Sequence, residues 1–145
     1  MTKLFFTKWI LSMNFMNIYS MDSMSDYLMH FIGTKYQYGG ELPGPVDCGA
    51  LIKEGLRSVG FIPNNIDMNS QMIYDWAINR EGTHSIKTKD SLIFYGKSSS
   101  DISHIAMFIN NYQVIEASGG NTFGMVRIRP YTYRDDIVGI LRLKP

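Results

Sequence analysis

The sequence predicts an α+β domain, with N-terminal helices packed on an antiparallel sheet of about five strands. Three observations predict it. The first half of the chain carries apolar residues at helical spacing. The second half changes to short Ile- and Val-rich runs separated by turn residues. Helices first and strands afterwards is the order of a helical layer set against a meander. The third is size and composition. A chain of 145 residues, 45% hydrophobic and 19% charged, fits one globular domain of roughly 100–150 residues rather than a disordered chain. The expected domain covers 22–145.

The elements follow in order. Residues 1–21 are expected to form an N-terminal extension or a packing helix. Asn14 and Asn17 break the early apolar run. It is too short to span a bilayer, and no small-residue cleavage site follows it, so no integral membrane segment is expected. Residues 22–33 (DSMSDYLMHFIG) predict a helix capped by Asp22 or Ser23, with Met24, Leu28 and Phe31 on one face and Gly33 at its end. The stretch 36–47, YQYGGELPGPVD, is a loop.

Asp47 opens a second helix with an apolar stripe of Leu51, Ile52, Leu56 and Val59. Its polar face is expected to carry Lys53, Glu54 and Arg57. A third helix is predicted at 70–78, and residues 80–91 read as a polar loop. The strands are expected at 91–96, 102–109, 113–118, 125–130 and 136–143, and Asn110-Asn111 marks a hairpin.

Composition excludes several classes of function. Fourteen basic residues stand against 13 acidic ones, a formal charge of +1. A nucleic-acid partner needs a clustered basic excess and is not expected. Arg127, Arg129, Arg134, Arg142 and Lys144 are the nearest approach to a patch, and Asp135 and Asp136 partly offset them. The single cysteine, Cys48, excludes an intramolecular disulfide framework and any multi-cysteine zinc site.

Cys48 sits at the first position of its predicted helix, right after a Gly/Pro loop. Helix starts present unpaired N–H groups and partial positive charge, which lower a thiol pKa and can hold an oxyanion. The competing reading is a small buried hydrophobe. A nucleophilic thiol needs a base, and the candidates are His30, His84 and His104. His104 lies in an apolar strand, and Glu116 follows twelve residues later across the Asn110-Asn111 turn. The hairpin sets Glu116 opposite or diagonal to His104, within cross-strand reach. A carboxylate in an apolar strand needs a partner. The two therefore account for each other, either as a structural pair or as the base and orienting acid of a nucleophile–His–acid triad. Tyr36 and Tyr38 alternate just before Gly39-Gly40.

The run YQYGGELPGPVDCGALI resembles the tyrosine, Gly-Gly, Asp-Cys, Leu-Ile signature of the NlpC-type cell-wall cysteine peptidases, a papain-like group. DSLIFYG, SHIAMFI and QVIEAS are similar to that family's later strands, and RIRPYTYRDDIVGILRL to its closing ones. The resemblance spans about residues 25–143. It implies a papain-like fold, with Cys48 as nucleophile, His104 as general base and acid, and Glu116 in the orienting third position. Tyr36, Asp47 and Gly49 would position substrate and oxyanion. It implies no metal or organic cofactor, and a peptide or peptidoglycan-fragment substrate cut at peptide or isopeptide bonds of stem peptides. Two positions depart from the family pattern. The third residue, usually His, is Glu116, and Asp-Cys-Ser-Gly reads Asp47-Cys48-Gly49-Ala50. The alternatives are an amidase or acyltransferase-like enzyme on a non-peptidoglycan amide or lipid, and a non-catalytic binding or structural module of the same fold. The expected setting is a phage or viral lytic protein or a secreted effector. Oligomeric state is not legible.

Overall fold

The computed structural model describes residues 23–80 and 82–144. The expectation for 1–21 lies outside the described residues. Helix α1 (Met24–Leu28) continues into a 3-10 turn at Met29–Phe31, α2 spans Cys48–Ser58 and α3 Ser70–Ile78. The strands are β1 (Gly82–His84), β2 (Leu92–Ser98), β3 (Asp101–Phe108), β4 (Gln113–Ser118), β5 (Met125–Pro130) and β6 (Ile137–Leu143). A short helix α4 (Gly120–Phe123) precedes β5, and a 3-10 turn (Tyr131–Tyr133) follows it.

All strand pairs are antiparallel, in the order β1-β6-β2-β3-β4-β5. The five expected strands are present. The three-residue β1 extends the sheet at its edge, in a stretch whose polar composition gives no strand signal. The closing strand β6 inserts between β1 and β2, so the two ends of the meander meet.

Helices α1, α2 and α3 each start on a side-chain cap. Ser23 accepts from the Asp26 amide, Asp47 from the Ala50 amide and Asn69 from the Met72 amide. Each cap satisfies one of the donors that a helix start leaves unpaired. Period-two alternation divides the sheet between two clusters. Leu92, Phe94, Ile105, Met107 and Ile115 pack with Leu28, Leu51, Ile52, Leu56 and Ile73 of the helices. Ile93, Tyr95, Ala106, Phe108 and Val114 form the other cluster, with Tyr131 and Tyr133 against it.

Two expectations for α2 are corrected. Val59 is exposed rather than part of the stripe, because the helix has ended at Ser58. Lys53, expected on the polar face, is buried. Two loops close over it, and its ammonium bonds Glu41 at 2.7 Å and Asp67 at 2.8 Å.

Candidate active site

Local chemistry places Cys48 at the first turn of α2. Asp47 accepts the Ala50 amide at 2.8 Å through one carboxylate oxygen and the Gly39 amide at 3.0 Å through the other. One side chain thus caps the helix and ties down the glycine-rich loop. Gly40 permits that loop to close, since a Cβ there would stand 2.2 Å from the Pro45 carbonyl oxygen. Tyr36 bridges Val46 and takes the Gly124 carbonyl with its amide at 3.0 Å, which fixes it beside the helix start.

The start of α3 meets the start of α2. Cys48 Sγ and Ser70 Oγ lie 3.3 Å apart, and each belongs to the first residue of its helix. Gly49 makes this approach possible, because a Cβ there would stand 3.0 Å from the Ser70 backbone nitrogen. Two helix N-termini therefore bring their positive ends to one sulfur.

His104 and Glu116 meet across the hairpin. Strands β3 and β4 pair at Met107–Ile115 and Phe108–Val114. Carried onward, that register makes Glu116 the diagonal neighbour of His104. The His104 Nε2–H donates to Glu116 Oε1 at 2.7 Å, and both residues are buried. Nε2 is thereby taken, which leaves Nδ1 for the thiol. Cys48 and His104 act on each other electrostatically, each favouring the other's charged form. His30 sits on the first 3-10 turn, with a ring nitrogen on the Tyr27 carbonyl, and His84 ends β1. The imidazole at the thiol is His104.

The electrostatics follow from these contacts. Burial pushes the Cys48 thiol up, but the hydrogen bond and charge of His104 and the Ser70 hydroxyl outweigh it and hold the thiol below its ordinary range. Burial pushes His104 down, while Cys48 and Glu116 favour the imidazolium and raise it to about 9. Burial pushes Glu116 up, and His104, Ser118 and Tyr133 together bring it below the ordinary carboxylate range. The arrangement favours a thiolate–imidazolium pair beside an ionised carboxylate. Tyr36 is raised by burial and by its closeness to Cys48, so its phenol stays protonated as a donor.

Cys48, Tyr36, Asp47 and Ser70 line a cleft of about 540 Å³, together with Asp67 and Ser103 among others. Ala50 and Leu51 give their amides to Asp47. The amides of Cys48 and Gly49 precede them at the open end of the helix, where an oxyanion could sit. Among the described residues, no group of three or more His, Cys, Asp or Glu is placed to hold a metal ion. Among them also, no helix is long and apolar enough to cross a membrane.

Several neighbours of the site escaped the sequence reading. Ser70 reaches the sulfur only because two helix starts converge. Tyr133 donates to Glu116 Oε1 at 2.6 Å, and Ser118 donates to Oε2. Arg129 Nε lies 3.6 Å from Oε2. The Tyr95 ring sits against His104, with centroids 5.6 Å apart. Of these, Ser118 alone had a readable signal. It lies two residues after Glu116 and so on the same strand face.

The P60 domain of an antigen from Mycobacterium avium subspecies paratuberculosis matches with a TM-score of 0.66 at 23% identity, covering 85% of this chain and 93% of that one. The peptidoglycan hydrolase RipB from Mycobacterium tuberculosis matches with a TM-score of 0.65 at 22% identity, covering 84% and 65%. An NlpC/P60 family protein from Bacillus cereus matches with a TM-score of 0.67 at 20% identity, covering 89% and 42%. The chain thus spans less than two thirds of the latter two. These likenesses carry the α+β, papain-like fold. No curated protein sequence matches the chain. The sequence model of the NlpC/P60 family matches residues 33–142, which contain the loop, both helix starts and β1 to β5, and the chain belongs to the NlpC/P60 family.

Proposed function

We propose that this protein is a cysteine hydrolase that cuts peptide or isopeptide bonds in the stem peptides of peptidoglycan. The observation that carries the reading is the arrangement at Cys48. A thiol at two converging helix starts interacts with a histidine that a buried carboxylate holds at 2.7 Å, beside an open cleft. Family membership and fold neighbours such as RipB and the NlpC/P60 domain of the peptidoglycan hydrolase SagA support the substrate class.

The chemistry is acyl transfer to sulfur and then to water. The Cys48 thiolate attacks the scissile carbonyl carbon. The resulting oxyanion is held by amides at the start of α2 and by the Tyr36 hydroxyl. The His104 imidazolium gives its proton to the leaving amine as the C–N bond breaks, leaving a thioester. Neutral His104 then takes a proton from water, whose oxygen attacks the thioester. Collapse releases the carboxylic acid and returns the proton and the sulfur to the starting pair. Glu116 keeps the ring oriented throughout and offsets the imidazolium charge.

Digestion of purified peptidoglycan and of free muropeptides, read by mass spectrometry, tests this. Wild type should release stem-peptide fragments. Cys48→Ala should fold normally and lose at least about 10⁴-fold in rate. Full hydrolysis by Cys48→Ala would refute the mechanism. A wild type inert on both substrates would refute the substrate class.

A further inference from the structure

A buried carboxylate that must orient a histidine has to stay ionised and has to stay still. Glu116 has no solvent exposure, so the protein itself must supply its hydrogen bonds. It does so from both strand neighbours and from beyond the sheet. Oε1 accepts from His104 Nε2 at 2.7 Å and from the Tyr133 hydroxyl at 2.6 Å. Oε2 accepts from the Ser118 hydroxyl and faces Arg129 Nε at 3.6 Å. Tyr133 is itself fixed, since the Arg129 guanidinium stacks on its ring at 4.3 Å and Tyr95 meets it edge-on at 5.9 Å.

We propose that Tyr133 and Ser118 are positioning residues of the hydrolytic site. Their hydroxyls clamp the Glu116 carboxylate so that it presents Oε1 to His104 Nε2 and keeps the other ring nitrogen toward Cys48. This rests on the hydrolase reading above for its catalytic meaning. The clamp itself is a property of the geometry.

The sign of the effect follows from the charges around the group. Glu116 is faced by His104 from β3, Tyr95 from β2, Arg127 and Arg129 from β5, and Tyr133 from the second 3-10 turn. The arginines supply positive charge at a distance. Arg127 is committed to the carbonyls of Ser118 and Phe123. The two hydroxyls supply the short bonds. Removing one makes the anion less favourable. A carboxylate that protonates or turns no longer supports the imidazolium, and the thiolate then loses its partner. The thiol midpoint therefore rises.

Cys48 is the one cysteine of the chain, so alkylation by iodoacetamide across a pH series reads this thiol directly. Tyr133→Phe and Ser118→Ala should each move the alkylation midpoint upward by about one unit. On muropeptides, each should lower kcat about 10-fold at neutral pH with KM unchanged. Melting temperatures should fall by no more than a few degrees. Tyr112→Phe, which removes a hydroxyl bonded to Thr132 instead, should leave the midpoint in place. Midpoints unchanged in both folded clamp variants would overturn the proposal. So would a loss of rate that is equal at every pH and tracks a lowered melting temperature. If Tyr133→Phe does not fold, the Ser118→Ala midpoint decides. A shifted midpoint in a protein whose wild type cuts no muropeptide would sustain the clamp and sink the hydrolase reading. Normal hydrolysis with no shift would do the reverse.

Discussion

Lys53 and Glu116 are both charged, and both are buried in one small domain. Their surroundings differ in kind. Lys53 projects from α2 and bonds two carboxylates that themselves remain wet, since the Glu41 side chain is 53% exposed and that of Asp67 84%. Burial disfavours the ammonium, but Asp67 and Glu41 outweigh it and raise its pKa. Its partners lie on the two loops that flank the cleft, so Lys53 joins the cleft walls. Glu116 is enclosed on every side by donors, and one of those donors is the histidine that meets the thiol. A buried charge with exposed partners is a fastener. A buried charge with buried, titrating partners is part of a coupled system.

The largest expected difference is in rate. Glu116→Gln keeps the shape but cannot accept from both His104 and Tyr133 as an anion. Muropeptide hydrolysis should fall about 10²–10⁴-fold. Lys53→Met should leave kcat near wild type and act on KM, through the loops at the cleft. If steady-state kinetics showed Lys53→Met to be the more damaging to kcat, the contrast would collapse.

Stability should follow next. Glu116→Gln leaves buried donors short of an acceptor and should cost about 2 kcal/mol in denaturant unfolding. Lys53→Met returns Glu41 and Asp67 to water they already touch and keeps the apolar stem. Its cost should be about 1 kcal/mol.

The smallest effect concerns acid. The folded pKa of Glu116 is lowered from the ordinary 4.5. A group of that kind contributes stability that is complete above its unfolded value and is lost as pH falls through the folded one. Glu116→Gln should therefore flatten the stability profile below about pH 4.5. Unfolding curves of the two proteins should converge as pH falls further below that value. Curves that stay parallel would show that Glu116 is not held ionised by folding.

Legibility differed sharply between these two sites. Glu116 and His104 were readable together because a hairpin is a local device. Twelve residues and an Asn-Asn turn place one near the other whatever the rest of the chain does. The capping of α2 by Asp47 was readable for the same reason. Lys53 was misread because helical periodicity assigns a face, not what folds over that face. Strand β1 was missed in a polar stretch because its pairing with β6 is long-range. Tyr133 carried no local sign, since its only tie to Glu116 is spatial.

By itself, the sequence determined the class of the fold, the order of its three main helices and five main strands, and the meeting of His104 with Glu116 across a hairpin. These depend on spacing, turn chemistry and residue type within short stretches. Only the tertiary structure decided that α3 brings Ser70 to the sulfur, that two loops seal Lys53, and that Tyr133 closes on Glu116. Those contacts join segments far apart along the chain, and packing, rather than any local preference, sets where such segments meet.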